Sequence, residues 1–415
     1  MWEIGLVAMA SVWSGCAGRA LMPLPPKAND RVVCLGDSIT DGCTYPQILI
    51  QALKEAGKPV PAIICAGVAS DTAPQMAARL ERTVLAFKPS LVTFSAGTND
   101  SLRGLSPAQY EKSLREISAK VKAVGATMLL LTPCIISPAR KADEAARGKA
   151  EDAEKTIAQY VEVIRKVARE EGYPVAQNNA LMQAARREGK ELMSPDGIHP
   201  NYLGQSLMAR SILDAMGCRN VPLPTEFRPQ LFPGVVREWR MRLAPLDGKK
   251  PQRLTAATAR ALQPDETWKT YTLPDPVPPE KPTAEDWWEQ ERRNGFGLKV
   301  HERAPGAGDG SGKGLVQAVA FLDAPRARKA YVNTGVGVST VWLNGEKLHE
   351  QGSAGAPRVP RAGERSGEWS GFHAGKERLP AGLKAGRNVL AIEIDGPQFF
   401  LSVTDKLCWE ADLGR

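Results

Sequence analysis

Histidine is scarce in this chain of 415 residues: there are four, and only His199 lies within the first 300 positions. The other three, His301, His349 and His373, are isolated in the sequence, and no cluster of cysteine, histidine and acidic residues has the spacing of a metal site. We therefore expect no metal and no other cofactor. If the first half of the chain uses a histidine as a catalytic base, that base is His199.

The chain also lacks a concentrated basic block and a long apolar segment. Its formal net charge of +8 is modest for its length and is spread along the sequence, and no nucleic-acid-binding motif is present. We therefore expect no nucleic acid as a partner. The apolar run over residues 4–12 is too short to cross a bilayer.

The first twenty residues are typical of an export signal. The apolar run is followed by Ser14-Gly15-Cys16 and then by polar, proline-rich sequence, and Cys16 is the residue that a lipid anchor would modify. The absence of a basic residue before the run does not fit this interpretation. On balance, we interpret residues 1–20 as a signal or lipoprotein segment, and we expect an exported protein that is periplasmic, held at the cell surface or secreted.

Three short apolar runs, at 31–35, 61–65 and 91–95, are each followed by a polar turn. Such runs are typical of buried parallel strands. In an open α/β sheet, ligands bind outside the carboxyl ends of the strands, so the three turns are predicted to meet in one crevice. The turns are Gly36-Asp37-Ser38, Ala66-Gly67-Val68-Ala69-Ser70-Asp71-Thr72 and Gly97-Thr98-Asn99-Asp100.

A fourth segment, Asp196-Gly197-Ile198-His199, contains the scarce histidine. A serine hydroxyl is a weak nucleophile that needs a base to take its proton, and the base needs a third group to fix its tautomer. Asp196 can reach one ring nitrogen of His199 across a single tight turn, which leaves the other nitrogen to face a serine. Taken alone, the segment fits a polar loop that caps the helix beginning near Asn201 equally well.

Together, the segments resemble those of the SGNH, or GDSL-type, esterases and lipases in order and in approximate spacing. The resemblance covers about residues 30–218 and rests on Gly36-Asp37-Ser38, Gly97-Thr98-Asn99-Asp100 and Asp196-Gly197-Ile198-His199. It implies that Ser38 is the nucleophile, that His199 is the base and that Asp196 is the partner that orients His199.

The resemblance also implies an oxyanion hole, which stabilises the negative charge of a tetrahedral intermediate. Its donors would be the backbone N–H groups of Ser38 and Ser70 and the side-chain amide of Asn99. The supporting residues would be Asp37, Gly67, Gly97 and Asp100. Two positions depart from the family pattern, because Cys65 stands where asparagine is usual at the strand end and Ser70 stands where glycine is usual. A serine there would narrow the acyl pocket, unless Gly67 supplies the flexibility and the turn is redrawn.

Over residues 30–218, helical and strand patterns alternate and predict a three-layer α/β/α, flavodoxin-like domain with a parallel sheet. Helices are predicted at 46–56, 73–87, 106–124, 142–171 and 201–216, and further strands at 127–132 and 175–176. The helix after Ser106-Pro107-Ala108-Gln109 has a clear start, because serine caps the helix, proline suits the first helical position and glutamine suits the third.

From residue 221 onward prolines multiply and the helical period gives way to alternation. Strands are predicted at 316–322, 329–333, 339–343, 388–395 and 399–404, and Asn344-Gly345 predicts a two-residue hairpin turn. We therefore expect a linker at 219–232 and an all-β sandwich, a jelly roll, at 233–415. The hairpin and the segment 383–390 resemble the galactose-binding-like jelly rolls of carbohydrate-active enzymes, which implies glycan binding.

The tryptophans are also unevenly placed: seven of the nine lie in the second half, and none lies between residues 32 and 219. Exposed indoles would stack on sugar rings, whereas a sandwich core would bury them. Trp287 and Trp288 point to opposite faces if they share a strand, so one of them is the best candidate for an exposed indole.

These observations predict a serine esterase that removes small acyl groups, chiefly acetyl, from a small-molecule or polysaccharide ester. One alternative keeps this chemistry and changes the substrate to a lipid or a thioester. An alternative of another class is a glycan-binding protein whose hydrolase part has lost its activity.

Overall fold

The computed structural model describes residues 24–138, 143–231, 233–273, 275–278, 298–299, 314–334, 337–350, 378–395, 398–399 and 401–405. The predicted export segment with Cys16, the pair Trp287-Trp288, and the histidines His301 and His373 lie outside these ranges. Within these ranges, no helix combines the length and the apolar character that crossing a membrane requires.

A five-stranded parallel sheet forms the centre of the first half. Its strands are β1 (Arg31–Gly36), β2 (Ala62–Gly67), β3 (Leu91–Ser95), β4 (Thr127–Leu131) and β5 (Val175–Ala176). They lie in the order β2-β1-β3-β4-β5, and each neighbouring pair is parallel. Nearly every residue of β1 to β4 is buried, as expected for strands whose sheet is covered on both faces.

Helices alternate with these strands, which confirms the predicted three-layer α/β/α class. They are α1 (Ser38–Asp41), α2 (Thr44–Glu55), α3 (Ala73–Thr83), α4 (Thr98–Leu102), α5 (Pro107–Ala123), α6 (Glu144–Glu171), α7 (Asn178–Arg187) and α8 (Tyr202–Ala215), with a 3-10 turn at Leu85–Phe87. The predicted start of α5 is confirmed, because the Ser106 hydroxyl accepts from the N–H of Gln109 and the Gln109 side chain accepts from the N–H of Ser106. Helix α7 was not predicted.

Two aromatic side chains beneath the third polar turn connect this turn to the helical layer. Tyr110 of α5 and Tyr160 of α6 stack with their ring centroids 4.2 Å apart. The hydroxyl of Tyr110 donates to the carbonyl of Ala96 at 3.1 Å, and that of Tyr160 donates to the carbonyl of Leu105 at 2.6 Å. The buried face of α6 is therefore part of the core and also supports the loop after β3.

Antiparallel strands build the second half. In the part of this half that the structure describes, they are β6 (Glu238–Leu243), β7 (Leu246–Asp247), β8 (Lys250–Pro251), β9 (Lys269–Thr272), β10 (Leu298–Lys299), β11 (Val316–Ala324), β12 (Arg328–Thr334), β13 (Val338–Leu343), β14 (Glu346–Glu350), β15 (Arg378–Leu383), β16 (Gly386–Ile394), β17 (Gln398–Phe399) and β18 (Leu401–Thr404). A short helix, α9 (Ala256–Arg260), lies between β8 and β9. The predicted turn joins β13 to β14, and both Asn344 and Gly345 have the positive φ that a two-residue hairpin turn needs, 54° and 83°.

Two antiparallel sheets share one apolar core and form a β-sandwich. One sheet has the order β14-β13-β16-β11-β6-β9 and the other the order β15-β12-β18. The second face of the larger sheet is covered by α9 and its flanking segments, which pack Leu254 and Trp268 against Trp342. Trp239, Trp268 and Trp342 are all buried. The suggestion that tryptophans stack on a sugar is therefore wrong for these three, because the sandwich uses them as core.

Candidate active site

The turn after β1 places Ser38 at the first position of the short helix α1. The carboxylate of Asp37 accepts a hydrogen bond from the N–H of Ile39 at 3.0 Å, so the helix starts directly after the strand. Gly67 lies against this helix, and a Cβ atom there would come within 2.2 Å of the backbone nitrogen of Asp41. The glycine therefore allows α1 to pack closely on the end of β2, which fixes the position of Ser38.

His199 reaches Ser38 from the loop between α7 and α8. Its Nε2 atom lies 2.8 Å from the Oγ atom of Ser38, and its Nδ1 atom lies 2.5 Å from Oδ2 of Asp196. The other carboxylate oxygen of Asp196 accepts hydrogen bonds from the backbone N–H groups of Ile198, at 2.8 Å, and His199, at 3.0 Å. The fold thus joins the predicted serine, histidine and aspartate in one hydrogen-bonded chain.

The charge of Asp196 determines the tautomer of His199. Partial burial alone would raise the pKa of Asp196, but the hydrogen bond and the charge of His199, with two backbone N–H groups, lower this pKa to about 2. The carboxylate is therefore ionised at neutral pH and can only accept hydrogen bonds. In the neutral imidazole the proton then lies on Nδ1, and Nε2 is left to accept the proton of the Ser38 hydroxyl.

The loop that carries Asp196 and His199 does not cap helix α8. That cap is Asn201, whose side-chain oxygen accepts a hydrogen bond from the N–H of Gly204 at 3.0 Å. The loop is held by its own backbone instead, since the N–H of Ser194 donates to the carbonyl of His199 at 2.7 Å. The interpretation of Asp196 and His199 as a mere helix cap is therefore wrong.

The turn after β3 brings Asn99 into contact with both of the other turns. Its Nδ2 atom donates to the backbone carbonyl of Asp71 at 3.1 Å and lies 3.4 Å from Oδ2 of Asp37. All three polar turns that were predicted to meet are therefore joined through one amide side chain.

Gly97 and Asp100 shape this third turn. Gly97 has a φ of +123°, and a Cβ atom there would come within 2.5 Å of the side chain of Pro133, so only glycine fits. The carboxylate of Asp100 accepts hydrogen bonds from the N–H of Gly97 at 3.0 Å and from that of Ala73 at 2.8 Å. Asp100 thereby ties the turn to the start of α3.

Ser70 adopts a backbone conformation that favours glycine, with a φ of +66°. The N–H of Asp71 donates to the carbonyl of Val68 at 3.1 Å, which makes Ser70 the third residue of a tight turn. Gly67 has no positive φ and ends strand β2, so the turn is not redrawn around it. The carbonyl oxygen of Ser70 accepts a hydrogen bond from the Arg103 guanidinium at 2.7 Å.

Asp37, Asp71 and Asp100 are buried carboxylates that lie in or beside the polar turns. Burial raises the pKa of Asp37 to about 7, although a backbone hydrogen bond and the charge of His199 oppose the shift. Burial also raises the pKa of Asp71 and that of Asp100 to about 6. The charge of Arg79 lowers the pKa of Asp71 in part, and backbone N–H groups do the same for Asp100. In the part of the chain that the structure describes, no group of three or more histidine, cysteine or acidic side chains could hold a metal ion.

Sequence reasoning missed Arg79, which lies among the residues of this site. Its guanidinium is buried on α3, where Nε donates to Oδ2 of Asp71 at 2.5 Å and Nη2 donates to the carbonyl of Gly36 at 2.9 Å. The sequence does contain a signal, because Arg79 lies at helical spacing from Met76 and Thr83 on the buried face of α3. A charged residue on an apolar helix face needs a buried partner, and its partner is Asp71.

Comparison with known proteins finds similarity over the part of the chain that carries this site. The sequence model of the GDSL-like lipase/acylhydrolase family matches residues 34–207, which include Ser38, Asn99, Asp196 and His199. The fold and this match define a carboxylic ester hydrolase. Over residues 34–207 the chain is therefore similar to the GDSL-like lipase/acylhydrolase family.

Individual relatives match slightly less than half of the chain. Esterase TesA of Pseudomonas aeruginosa is 27% identical over 49% of this chain and 95% of its own length. Thioesterase 1/protease 1/lysophospholipase L1 of Escherichia coli is 29% identical over 46% of this chain and 84% of its own length. Acetylxylan esterase of Geobacillus stearothermophilus is 26% identical over 46% of this chain and 95% of its own length.

Proposed function

We propose that the protein is a serine esterase that removes small acyl groups, chiefly acetyl, from esters of carbohydrates. The observation that carries the catalytic part of this proposal is the hydrogen-bonded chain from Ser38 through His199 to Asp196, with contacts of 2.8 and 2.5 Å. This chain gives a serine hydroxyl the base that it needs, and gives the base a carboxylate partner.

In the first half of the reaction, Ser38 Oγ attacks the acyl carbonyl carbon while Nε2 of His199 takes the hydroxyl proton. The imidazolium that forms is stabilised by ionised Asp196. Collapse of the tetrahedral intermediate breaks the bond to the alkoxy oxygen, which leaves as an alcohol with the proton from Nε2. The second half repeats these steps with water as the nucleophile, so that the acid is released and Ser38 regains its proton.

The oxyanion hole in this proposal uses the N–H groups of Ser38 and Ser70 and the Nδ2 atom of Asn99. One N–H bond of Asn99 points to the carbonyl of Asp71 at 3.1 Å, whereas the contact with Asp37 is long, at 3.4 Å. The second N–H bond is therefore the one that would turn to the substrate oxygen. Each such donor contributes on the order of a hundredfold or more to the rate.

The choice of substrate rests on the relatives and on the second half of the chain. One relative is named as an acetylxylan esterase, and its match extends over 95% of its own length. The β-sandwich follows the catalytic part, and its Asn344-Gly345 hairpin resembles those of the jelly rolls in carbohydrate-active enzymes. We extend the proposal to glycan binding by the sandwich and to export through residues 1–20, with Cys16 as the lipidated residue.

A second candidate function is favoured by the relative from Escherichia coli, whose name gives thioesterase and lysophospholipase activities. It uses the same Ser38, His199 and Asp196 and differs only in the length and attachment of the acyl group. The glycan-binding alternative without catalysis is disfavoured, because a protein without turnover has no need to keep Ser38 and His199 within 2.8 Å.

The test is hydrolysis of p-nitrophenyl esters of increasing acyl length by the full chain and by Ser38→Ala. Ser113→Ala is a matched control, because Ser113 is also buried and its hydroxyl donates only within helix α5, to the carbonyl of Gln109. We expect Ser38→Ala to lose roughly six orders of magnitude in kcat if the three residues act as a unit, and Ser113→Ala to keep its activity.

The acyl-length profile separates the candidates. Turnover that is best with acetate and falls with chain length supports the acetylesterase, and release of acetate from acetylated xylan or from acetylated sugars then identifies the carbohydrate. Turnover that rises with chain length supports the lipid or thioester candidate. Activity of Ser38→Ala equal to that of the wild type would contradict the serine mechanism for both substrates.

A further inference from the structure

Arg79 is a buried cation that the proposed mechanism does not use. Its side chain is 7% exposed, and each of its three nitrogens donates a hydrogen bond. Nε donates to Oδ2 of Asp71 at 2.5 Å, Nη2 to the carbonyl of Gly36 at 2.9 Å and Nη1 to the hydroxyl of Thr83 at 2.9 Å. The rigid planar fork of a guanidinium therefore sets the separation between Gly36 and Asp71.

Two of these partners, Gly36 and Asp71, lie close in the chain to the proposed catalytic residues. Gly36 is the last residue of β1 and precedes Asp37 and Ser38, so the orientation of its carbonyl fixes the direction in which the chain enters the nucleophile turn. The same carbonyl accepts a second hydrogen bond, from the N–H of Val68 in the second turn, at 3.0 Å. Gly36 is thus held from two sides by the second turn and by α3.

Asp71 connects Arg79 to the remaining oxyanion donors. It directly follows Ser70, and its backbone carbonyl accepts the hydrogen bond of Asn99 at 3.1 Å. One guanidinium therefore contacts the turn of the nucleophile and the turn of Ser70 directly, and it reaches Asn99 through Asp71. The ion pair lies in a buried environment, where hydrogen bonds between charged groups are strong and their geometry is well defined.

We infer that Arg79 is a positioning residue for the esterase reaction, which holds the nucleophile turn and the oxyanion turn at the separation that the transition state requires. The inference rests on the proposed function, since it assumes that Ser38 attacks and that Ser70 and Asn99 stabilise the oxyanion. A displacement of about 1 Å in such a site reduces the rate by about a hundredfold. The substrate itself does not contact Arg79, so its binding is affected much less than its turnover.

The experiment measures kcat and KM for p-nitrophenyl acetate together with the thermal midpoint for Arg79→Lys and for the pair Arg79→Met with Asp71→Asn. Lysine keeps the charge beside Asp71 but cannot bond Asp71 and Gly36 in one plane. The double variant removes both charges, so it avoids an unpaired buried carboxylate and keeps the fold testable. Arg115→Lys is the control, because Arg115 pairs with Glu111 and Glu170 at the surface of α5 and α6.

We expect a fall in kcat of about 10- to 100-fold in both Arg79 variants, with KM within about threefold of the wild type. We expect no change in either constant for Arg115→Lys. If both Arg79 variants keep the wild-type kcat and only their thermal midpoints fall, Arg79 has a purely structural role and the inference is wrong. Ser38→Ala is assayed alongside. If the proposed function is wrong, turnover survives the loss of Ser38; if only the inference about Arg79 is wrong, turnover is lost in Ser38→Ala.

Discussion

The substitution Asp196→Asn tests the link between charge and tautomer at the candidate site. The Oδ1 atom of Asp196 already accepts two backbone N–H groups, those of Ile198 at 2.8 Å and His199 at 3.0 Å. An asparagine keeps these two bonds only if its own oxygen takes the Oδ1 position. Its NH₂ group then faces Nδ1 of His199, across what is now a contact of 2.5 Å.

This geometry reverses the tautomer of His199. Because an amide NH₂ only donates, Nδ1 must become the acceptor, and the ring proton moves to Nε2. Nε2 then points its proton at Ser38 and cannot take the hydroxyl proton. The overall structure is unchanged, so we expect a loss in kcat on the order of 10⁴-fold, as for other serine hydrolases in which only the tautomer is wrong.

The assay is steady-state hydrolysis of p-nitrophenyl acetate, combined with nitrogen NMR of the His199 ring to observe the tautomer directly. Asp152→Asn is the matched control, since Asp152 pairs with Lys155 across the same three-residue spacing but on an exposed face of α6. The proposed change of tautomer is refuted if Asp196→Asn keeps more than about a tenth of the wild-type kcat, because a tenfold loss corresponds to only about 1.4 kcal/mol. It is also refuted if Nδ1 of the variant still carries the proton.

The remaining predictions concern stability. Burial raises the pKa of Asp37 from 3.8 to about 7. The contribution of this carboxyl group to the free energy of unfolding is therefore fully present below pH 3.8 and is lost as the pH rises through 7. Between pH 5 and pH 8 the unfolding free energy of the wild type should fall by about 3 kcal/mol more than that of Asp37→Asn, as measured by urea titration. Equal falls in the two proteins would contradict the raised pKa of Asp37. Ser70→Gly should raise the unfolding free energy by about 1 kcal/mol, because it removes a left-handed serine, and a decrease would argue against strain at φ +66°. Gly345→Ala should lower the unfolding free energy by about 2 kcal/mol or more, because the residue has a φ of +83° and the new Cβ atom would lie 2.8 Å from the carbonyl oxygen of Ala256. Unfolding monitored by tryptophan fluorescence that is unchanged in this variant would contradict the prediction.

The elements around the candidate site were predictable because local patterns determine them. The runs that became β1, β2 and β3 are short, apolar and followed by glycine-containing turns, so their ends, and with them Ser38 and Asn99, could be placed from the sequence. The start of α5 was predictable because Ser106 and Gln109 form a local capping box. Both kinds of signal extend over only a few residues of chain.

Helix α7 was missed because its local signals are weak. Gln177 precedes the helix without a side-chain cap hydrogen bond, and in the first turn Asn178 and Asn179 favour turns rather than helices. The helix forms because Met182 and Ala185 are buried against the rest of the domain. Helix α7 is therefore stabilised by tertiary packing, which cannot be read from a single sequence.

Strand β6 and residue Arg79 were missed for a related reason. In β6, Arg240 lies between buried Trp239 and Met241, so buried and exposed residues alternate. The pattern is short, and the charged residues Glu238, Arg240 and Arg242 make it hard to recognise as a strand. Arg79 lies on the buried face of α3, but its role depends on partners that lie 8 and 43 residues earlier in the chain, Asp71 and Gly36. Such long-range pairs emerge only once the sheet has brought the turns together.

The proposed mechanism requires that Ser38 becomes acylated during turnover. The most direct measurement is rapid-quench mass spectrometry of the full chain mixed with p-nitrophenyl acetate, followed by peptide mapping. We expect one acetyl group per molecule, on the Ser38 hydroxyl, formed at least as fast as turnover and absent in Ser38→Ala. An acetyl group on another residue, or turnover in which no acylated protein forms at any time, would contradict it.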